Sequence, residues 1–191
     1  MKKLLAASLV SGLLISCGGG DNTGPSNTSP PVLSVPIVDL SQVTDFLPFG
    51  YRLRPGVLNP AYELITASDT LSVLAATAGK VTMIASNPFP QNDSEIHIQA
   101  SSDPSYLIVY DHLISLRVGV GAQVTAGQVI GRIGPGEAGR GRTEIQVNQN
   151  NAIHICPRSL GSASFNAAHD VAMARFPARG SSVCLMNTIV P

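Results

Sequence analysis

A mainly β fold is what this chain predicts, and three observations predict it. Between residues 62 and 149 the apolar residues come in short runs bounded by Gly, Pro, Asn or Asp. Those runs are enriched in Val, Ile, Tyr and Thr, the residues that suit a pleated, half-buried surface. No window in this region sustains a helical period. The expected architecture is an antiparallel β-sheet forming a groove, an open barrel or a sandwich, with one short helical segment near the C-terminus.

The chain opens MKKLLAASLVSGLLISC, two lysines followed by an apolar stretch from Leu4 to Ile15. That stretch is far shorter than the roughly 20 residues a spanning helix needs, so it reads as a secretory signal over residues 1–16. Leu14-Ile15-Ser16-Cys17 resembles a bacterial lipobox, in which Cys17 is lipidated and becomes the mature N-terminus. A plain signal peptide with an incidental cysteine is the alternative. Gly18 follows the cysteine where an aspartate would be a retention signal; by resemblance to Gram-negative lipoproteins this favours the outer membrane, facing the periplasm. GGGDNTGPSNTSPP comes next, with too little apolar surface to offset its ordering entropy, so residues 17–40 are read as lipidated cysteine and flexible tether. A β domain is expected over residues 41–160 and a C-terminal extension over 161–191.

Within that domain SVLAATAGKVTMIA, EIHIQA, SYLIVYDHL, LRVGV, QVIGRIG and TEIQVNQ are the expected strands. Strict alternation in SYLIVYDHL puts Leu107, Val109 and Leu113 on one face and Tyr106, Ile108, Tyr110 and His112 on the other. In RTEIQVN, Thr143, Ile145 and Val147 share a face, and Arg142, Glu144, Gln146 and Asn148 share the opposite one. A face with Arg, Glu and Gln in a row is either a wet surface or the floor of a polar groove. Phe165, Ala168, Ala172 and Phe176 recur at helical spacing behind Ser162 or Ser164 as N-cap. That helix carries His169 and Asp170, read as a solvated surface.

Twelve basic and twelve acidic residues leave no net charge and no run of like sign. Nucleic acid is excluded as a partner, because phosphate binding needs a basic footprint. Of three cysteines, Cys17 is assigned to lipid, leaving Cys156 and Cys184 to pair in an oxidising compartment or to stay as buried thiols. No G-x-S-x-G occurs, and nothing marks either cysteine as reactive.

Tyr110-Asp111-His112-Leu113, followed by VGVGAQV and AGQVIG, resembles the LytM or lysostaphin-type zinc endopeptidases, which cut peptide cross-links in bacterial cell walls. Further upstream, VLAATAGKV is similar to a hairpin of that family and Phe49-Gly50-Tyr51-Arg52 to its opening, and Cys156-Pro157-Arg158-Ser159-Leu160 lies where the family domain closes. The resemblance implies a β groove of the duplicated hybrid motif type. It also implies one zinc held by the His and Asp of an H-x-x-x-D stretch and by the second His of an H-x-H stretch. An ungapped count from Gly79 puts the first pair on Pro60 and Leu64, and the H-x-H histidines fall on Arg142 and Glu144. No histidine precedes His97 and none lies between His112 and His154, so the loss does not depend on the alignment. His112 is the family histidine that remains, and in active relatives it is not a zinc ligand.

A zinc site needs three protein ligands to hold the metal and lower the pKa of its water. The expectation is therefore a non-catalytic, zinc-free member whose groove is lined by Tyr110, His112, Arg142, Glu144 and Gln146, with Arg142 and Glu144 filling the metal's space as a charge pair. By resemblance to non-catalytic relatives, its partner would be peptidoglycan or a cell-wall enzyme such as an amidase. The alternative is an active zinc endopeptidase with a rebuilt ligand set of His97, His112 and Glu144. His97 is otherwise an outward-facing strand residue, and His154 half-buried packing. Lipoyl-type carrier hairpins share the AGQVIG pattern, but VGVGAQVTAGQV has no lysine to carry a group.

Overall fold

The computed structural model describes residues 28–88, 92–180 and 182–190. The signal segment and Cys17 lie outside the described residues. The strands are β1 (Val43–Leu47), β2 (Arg52–Arg54), β3 (Val57–Leu58), β4 (Tyr62–Thr66), β5 (Ser72–Leu74), β6 (Gly79–Asn87) and β7 (Asp93–Ala100). They continue as β8 (Tyr106–Ile114), β9 (Gln123–Val124), β10 (Val129–Pro135), β11 (Gly141–Gln149), β12 (Ile153–Ile155) and β13 (Thr188–Ile189). One α-helix, α1 (Ala163–Met173), precedes β13. The prediction of a mainly β, antiparallel fold with a C-terminal helix holds.

Eleven strands form one sheet in the order β1-β4-β11-β10-β8-β7-β6-β9, with β5 on β10 and β12 and β13 extending from β11. Every named pairing in it is antiparallel, and the sheet does not close into a barrel. The long strand β11 is the hub. Its first half pairs with β4 and its second half with β12 on one side, while β10 and then β8 flank it on the other. The small hairpin β2-β3 stands apart as its own two-stranded sheet.

Alternation selects what each strand buries. Tyr62 and Leu64 from β4, Ile96 and Ile98 from β7, Ile108 and Tyr110 from β8, and Ile145 and Val147 from β11 are all fully buried. Each such side chain stabilises the fold by about 1.5–3 kcal/mol relative to exposure. At the AGQ turn between β9 and β10, Gly127 takes φ +81°, a conformation that a residue with a Cβ rarely adopts.

Two expectations about the ends need correction. Leu33, Ile37 and Val38 are buried in the core, and Leu33 exchanges backbone hydrogen bonds with Leu160 and Ser162, so the packed chain starts before residue 41. Pro31, Val32 and Pro36 punctuate a segment too short on periodicity to advertise its burial. His169 is 1% exposed rather than solvated: its Nε2 accepts from the buried Tyr62 hydroxyl while Nδ1 donates to the Phe165 carbonyl at 2.8 Å. Ser162 caps α1 by accepting from the Phe165 N–H, and Cys156 and Cys184 form a disulfide that ties the extension back to β12.

Candidate functional site

The outward face of β11 carries Arg142, Glu144, Gln146 and Asn148, as the alternation of TEIQVN requires. Strand register extends that row sideways. Glu144 is opposite Glu63 on β4 and opposite Asp111 on β8, so three carboxylates cross three adjacent strands. Beyond Asp111 lies β7, with Glu95 and His97 bonded to each other. Strand partners directly opposite have Cβ atoms about 4.5–5.5 Å apart, so such a row repels itself unless a cation enters it.

Arg142 supplies that cation. Its Nε donates to Glu63 Oε2 at 2.9 Å, and its Nη2 lies 3.6 Å from Glu144 Oε2. Asn59 Nδ2 donates to the other Glu63 oxygen at 3.4 Å. Glu144 is less well served. Burial first, then the charge of Glu63 and those of Asp111 and Glu95, push its carboxyl up to about 8, against the lowering pull of Arg142.

The residue opposite Glu144 revises one sequence assignment. Leu64 is fully buried in the core and Glu63 faces the groove, so a ligand shared with position 144 has to come from position 63. The four-residue spacing then places Asn59 and Glu63, not Pro60 and Leu64, where the resemblance puts H-x-x-x-D. The signal was present as a lone glutamate in YELIT, the one charge in an apolar strand.

His112 reaches this region by breaking the strand. Ser94 pairs with Leu113 but Ile96 pairs with Tyr110, so Asp111 and His112 share the space opposite Glu95 as a β-bulge. His112 has φ +58°, and its carbonyl carbon and oxygen crowd Gly134, where a Cβ would come within 2.7 Å of that oxygen. Only a glycine there leaves room for the bulge. The bulge separates two residues that alternation had paired. Tyr110 is fully buried with its hydroxyl accepting from the Ala76 N–H at 2.8 Å, so it is a core residue and not a groove residue.

His112 Nδ1 is 2.7 Å from Oδ2 of the buried Asp93, and its Nε2 lies 3.9 Å from Asp111 Oδ2. Asn87 Nδ2 bridges the two aspartates, at 2.9 Å to Asp93 and 2.7 Å to Asp111. Among the described residues, Asp93, Asp111 and His112 are the group whose donor atoms lie within 4.8 Å of one another. The rebuilt set of His97, His112 and Glu144 is not brought together in that way; His97 is turned to Glu95 instead. Gln146 donates to Asn148, whose Oδ1 also lies 2.6 Å from Nδ1 of the half-buried His154.

Known proteins share this architecture. No curated protein matches the chain. The solution structure of lysostaphin, an antimicrobial peptidase from Staphylococcus simulans, is similar at 22% identity over 59% of this chain, with a TM-score of 0.46. The match spans 44% of the lysostaphin chain. Helicobacter pylori Csd3 in its hexagonal crystal is similar at 17% identity over 83% of this chain and 45% of its own, with a TM-score of 0.53. The SpoIIQ-SpoIIIAH pore forming complex contains a chain similar at 17% identity over 64% of this one and 86% of its own, with a TM-score of 0.49. These likenesses concern the fold. Residues 62–155, which run from β4 through β12 and carry Glu63, Asp93, Asp111, His112, Arg142 and Glu144, are the part of this chain that is similar to Peptidase family M23.

Proposed function

We propose that this chain is a zinc-free, M23-like module of the bacterial cell envelope that acts by binding, anchored to the outer membrane through lipid on Cys17. The observation that carries the reading is the Arg142 guanidinium between Glu63 and Glu144. Zinc binding of the kind the family resemblance implies needs nitrogen donors and deprotonated, uncommitted oxygens. Here an amide and two glutamates stand at those places, both Glu63 oxygens already accept hydrogen bonds, and a fixed positive charge offsets part of the row. That donor set does not fit zinc. The polar groove remains as a surface for a peptide of the cell wall or for a cell-wall enzyme.

The group Asp93, Asp111 and His112 favours a second reading, in which a divalent ion binds one bulge away and peptidase activity survives. Metal analysis after purification in zinc-containing buffer and desalting separates the two. The expected result is no retained zinc and no chelator-sensitive release of peptide from purified murein. Stoichiometric zinc with chelator-sensitive digestion overturns the binding-module reading. Anchoring is tested by fractionation: Cys17→Ala moves the protein from the membrane to the soluble fraction.

A further inference from the structure

Beside the carboxylate row the groove deepens into a cleft of about 310 Å³, at the lower edge of the range of small-ligand sites. Leu47, Leu53 and Ile65 form its apolar side, and Glu63, Arg140 and Arg142 its polar side. We propose that this cleft binds the free carboxylate end of a short peptide with small aliphatic side chains, gripped by Arg140 with Arg142 behind it. The inference rests on the binding-module reading and names its ligand class.

The uncommitted hydrogen-bond donors point to the sign of the ligand. Each oxygen of Glu63 already accepts one hydrogen bond, from Arg142 and from Asn59, and the adjoining guanidinium offsets its charge. Arg140 uses only Nε, which donates to the Glu137 carbonyl at 3.3 Å; among the described residues neither of its Nη groups has a partner. Arg142 likewise keeps Nη1 uncommitted. The tied-down part of the cleft therefore offers a surplus of guanidinium N–H donors, the geometry that suits a planar carboxylate. Glu137 also borders the cleft, exposed on a turn, and sets one carboxylate against the guanidinium groups around it.

The neighbouring hairpin points the same way. Leu53 is half exposed at 49%, on β2 between Arg52 and Arg54, which are both exposed and have no ion-pair partner among the described residues. Positive charge thus flanks the apolar wall, which raises the local concentration of an anionic peptide end. Aliphatic Leu47, Leu53 and Ile65 favour alanine-sized or slightly larger side chains over charged ones. A cell-wall peptide and the C-terminus of a protein both offer this chemistry, and handedness distinguishes them.

The test is calorimetric titration of the purified chain with trialanine, as free acid and as C-terminal amide, in all-L and all-D forms. The expected result is binding of one free acid at least about tenfold tighter than its amide, the size of one lost charge-assisted hydrogen bond. Arg140→Gln is expected to remove the difference between acid and amide, and Leu53→Ala to weaken both. A preference for the D acid assigns the cell-wall source, and one for the L acid a protein terminus; either supports the site. Equal binding of acid and amide, no binding of either, or an acid preference that survives Arg140→Gln overturns it. Those outcomes leave the zinc measurement untouched, so the carboxylate cleft and the zinc-free reading fail separately.

Discussion

Arg142 is the residue on which the polar row turns, because it is the cation in direct contact with Glu63 and the one nearest Glu144. Arg142→Ala leaves Glu63 nearly buried with one amide partner, and we expect a loss of about 1–3 kcal/mol in chemical denaturation, the cost of stranding a charged acceptor. Glu144 predicts the opposite. Its folded-state pKa of about 8 stands above the ordinary 4.5, so its favourable contribution is complete below pH 4.5 and is lost as pH rises through 8. Glu144→Gln should therefore melt higher than the parent at pH 8, with the gain shrinking towards pH 5. A constant gain across that range would show that the carboxyl does not titrate as its neighbours dictate. The identities of Arg142, Glu144 and His112 were readable because alternation and motif spacing are properties of the sequence. Asn59 and Asp93 were not, and Glu63 only as a lone charge in an apolar strand, since they meet the others through strand register and a bulge.

Secondary-structure elements show the same divide between local and long-range causes. Runs such as EIHIQA and QVIGRIG declare themselves as strands, and Ser162 with its apolar spacing declares α1. Besides its buried apolar face, α1 is held against the sheet by a non-local bond between His169 and Tyr62, which no window of sequence contains. Tyr62→Phe should cost about 1–3 kcal/mol, because it leaves the buried His169 Nε2 unsatisfied. Burial also holds the His169 pKa below its ordinary 6.5. The unfolded chain then takes up a proton that the folded chain resists, so stability is complete above pH 6.5 and is lost as pH falls towards the folded value. Melting of His169→Gln between pH 7 and pH 5 should lack that acid loss. The disulfide is the second tie. Cys156 and Cys184 have a sequence separation of 28, and breaking the bond by Cys184→Ser should cost about 3.5 kcal/mol in the chain-entropy account.

At the scale of the whole molecule, strand register brings side chains from neighbouring strands into one polar row. Strand β4 brings position 63 opposite position 144, and the bulge on β8 delivers Asp111 and His112 from the other side. Geometry of this kind is set by backbone pairing and core packing, to which the outward-facing side chains contribute little. Giving these positions the donors that the family resemblance implies, without altering the core, should therefore create a zinc site. The variant carrying Asn59→His, Glu63→Asp, Arg142→His and Glu144→His removes the guanidinium and supplies two imidazoles and a carboxylate as ligands. It should retain about one zinc per chain after desalting, whereas the parent retains none. Binding should also raise its melting temperature, since a ligand that binds only the folded state stabilises it in proportion to the logarithm of its concentration. If the variant folds with the parent's circular dichroism but holds no zinc, then the strands do not converge on a common point, and the placement of Asn59 and Glu63 at the family's ligand positions is wrong.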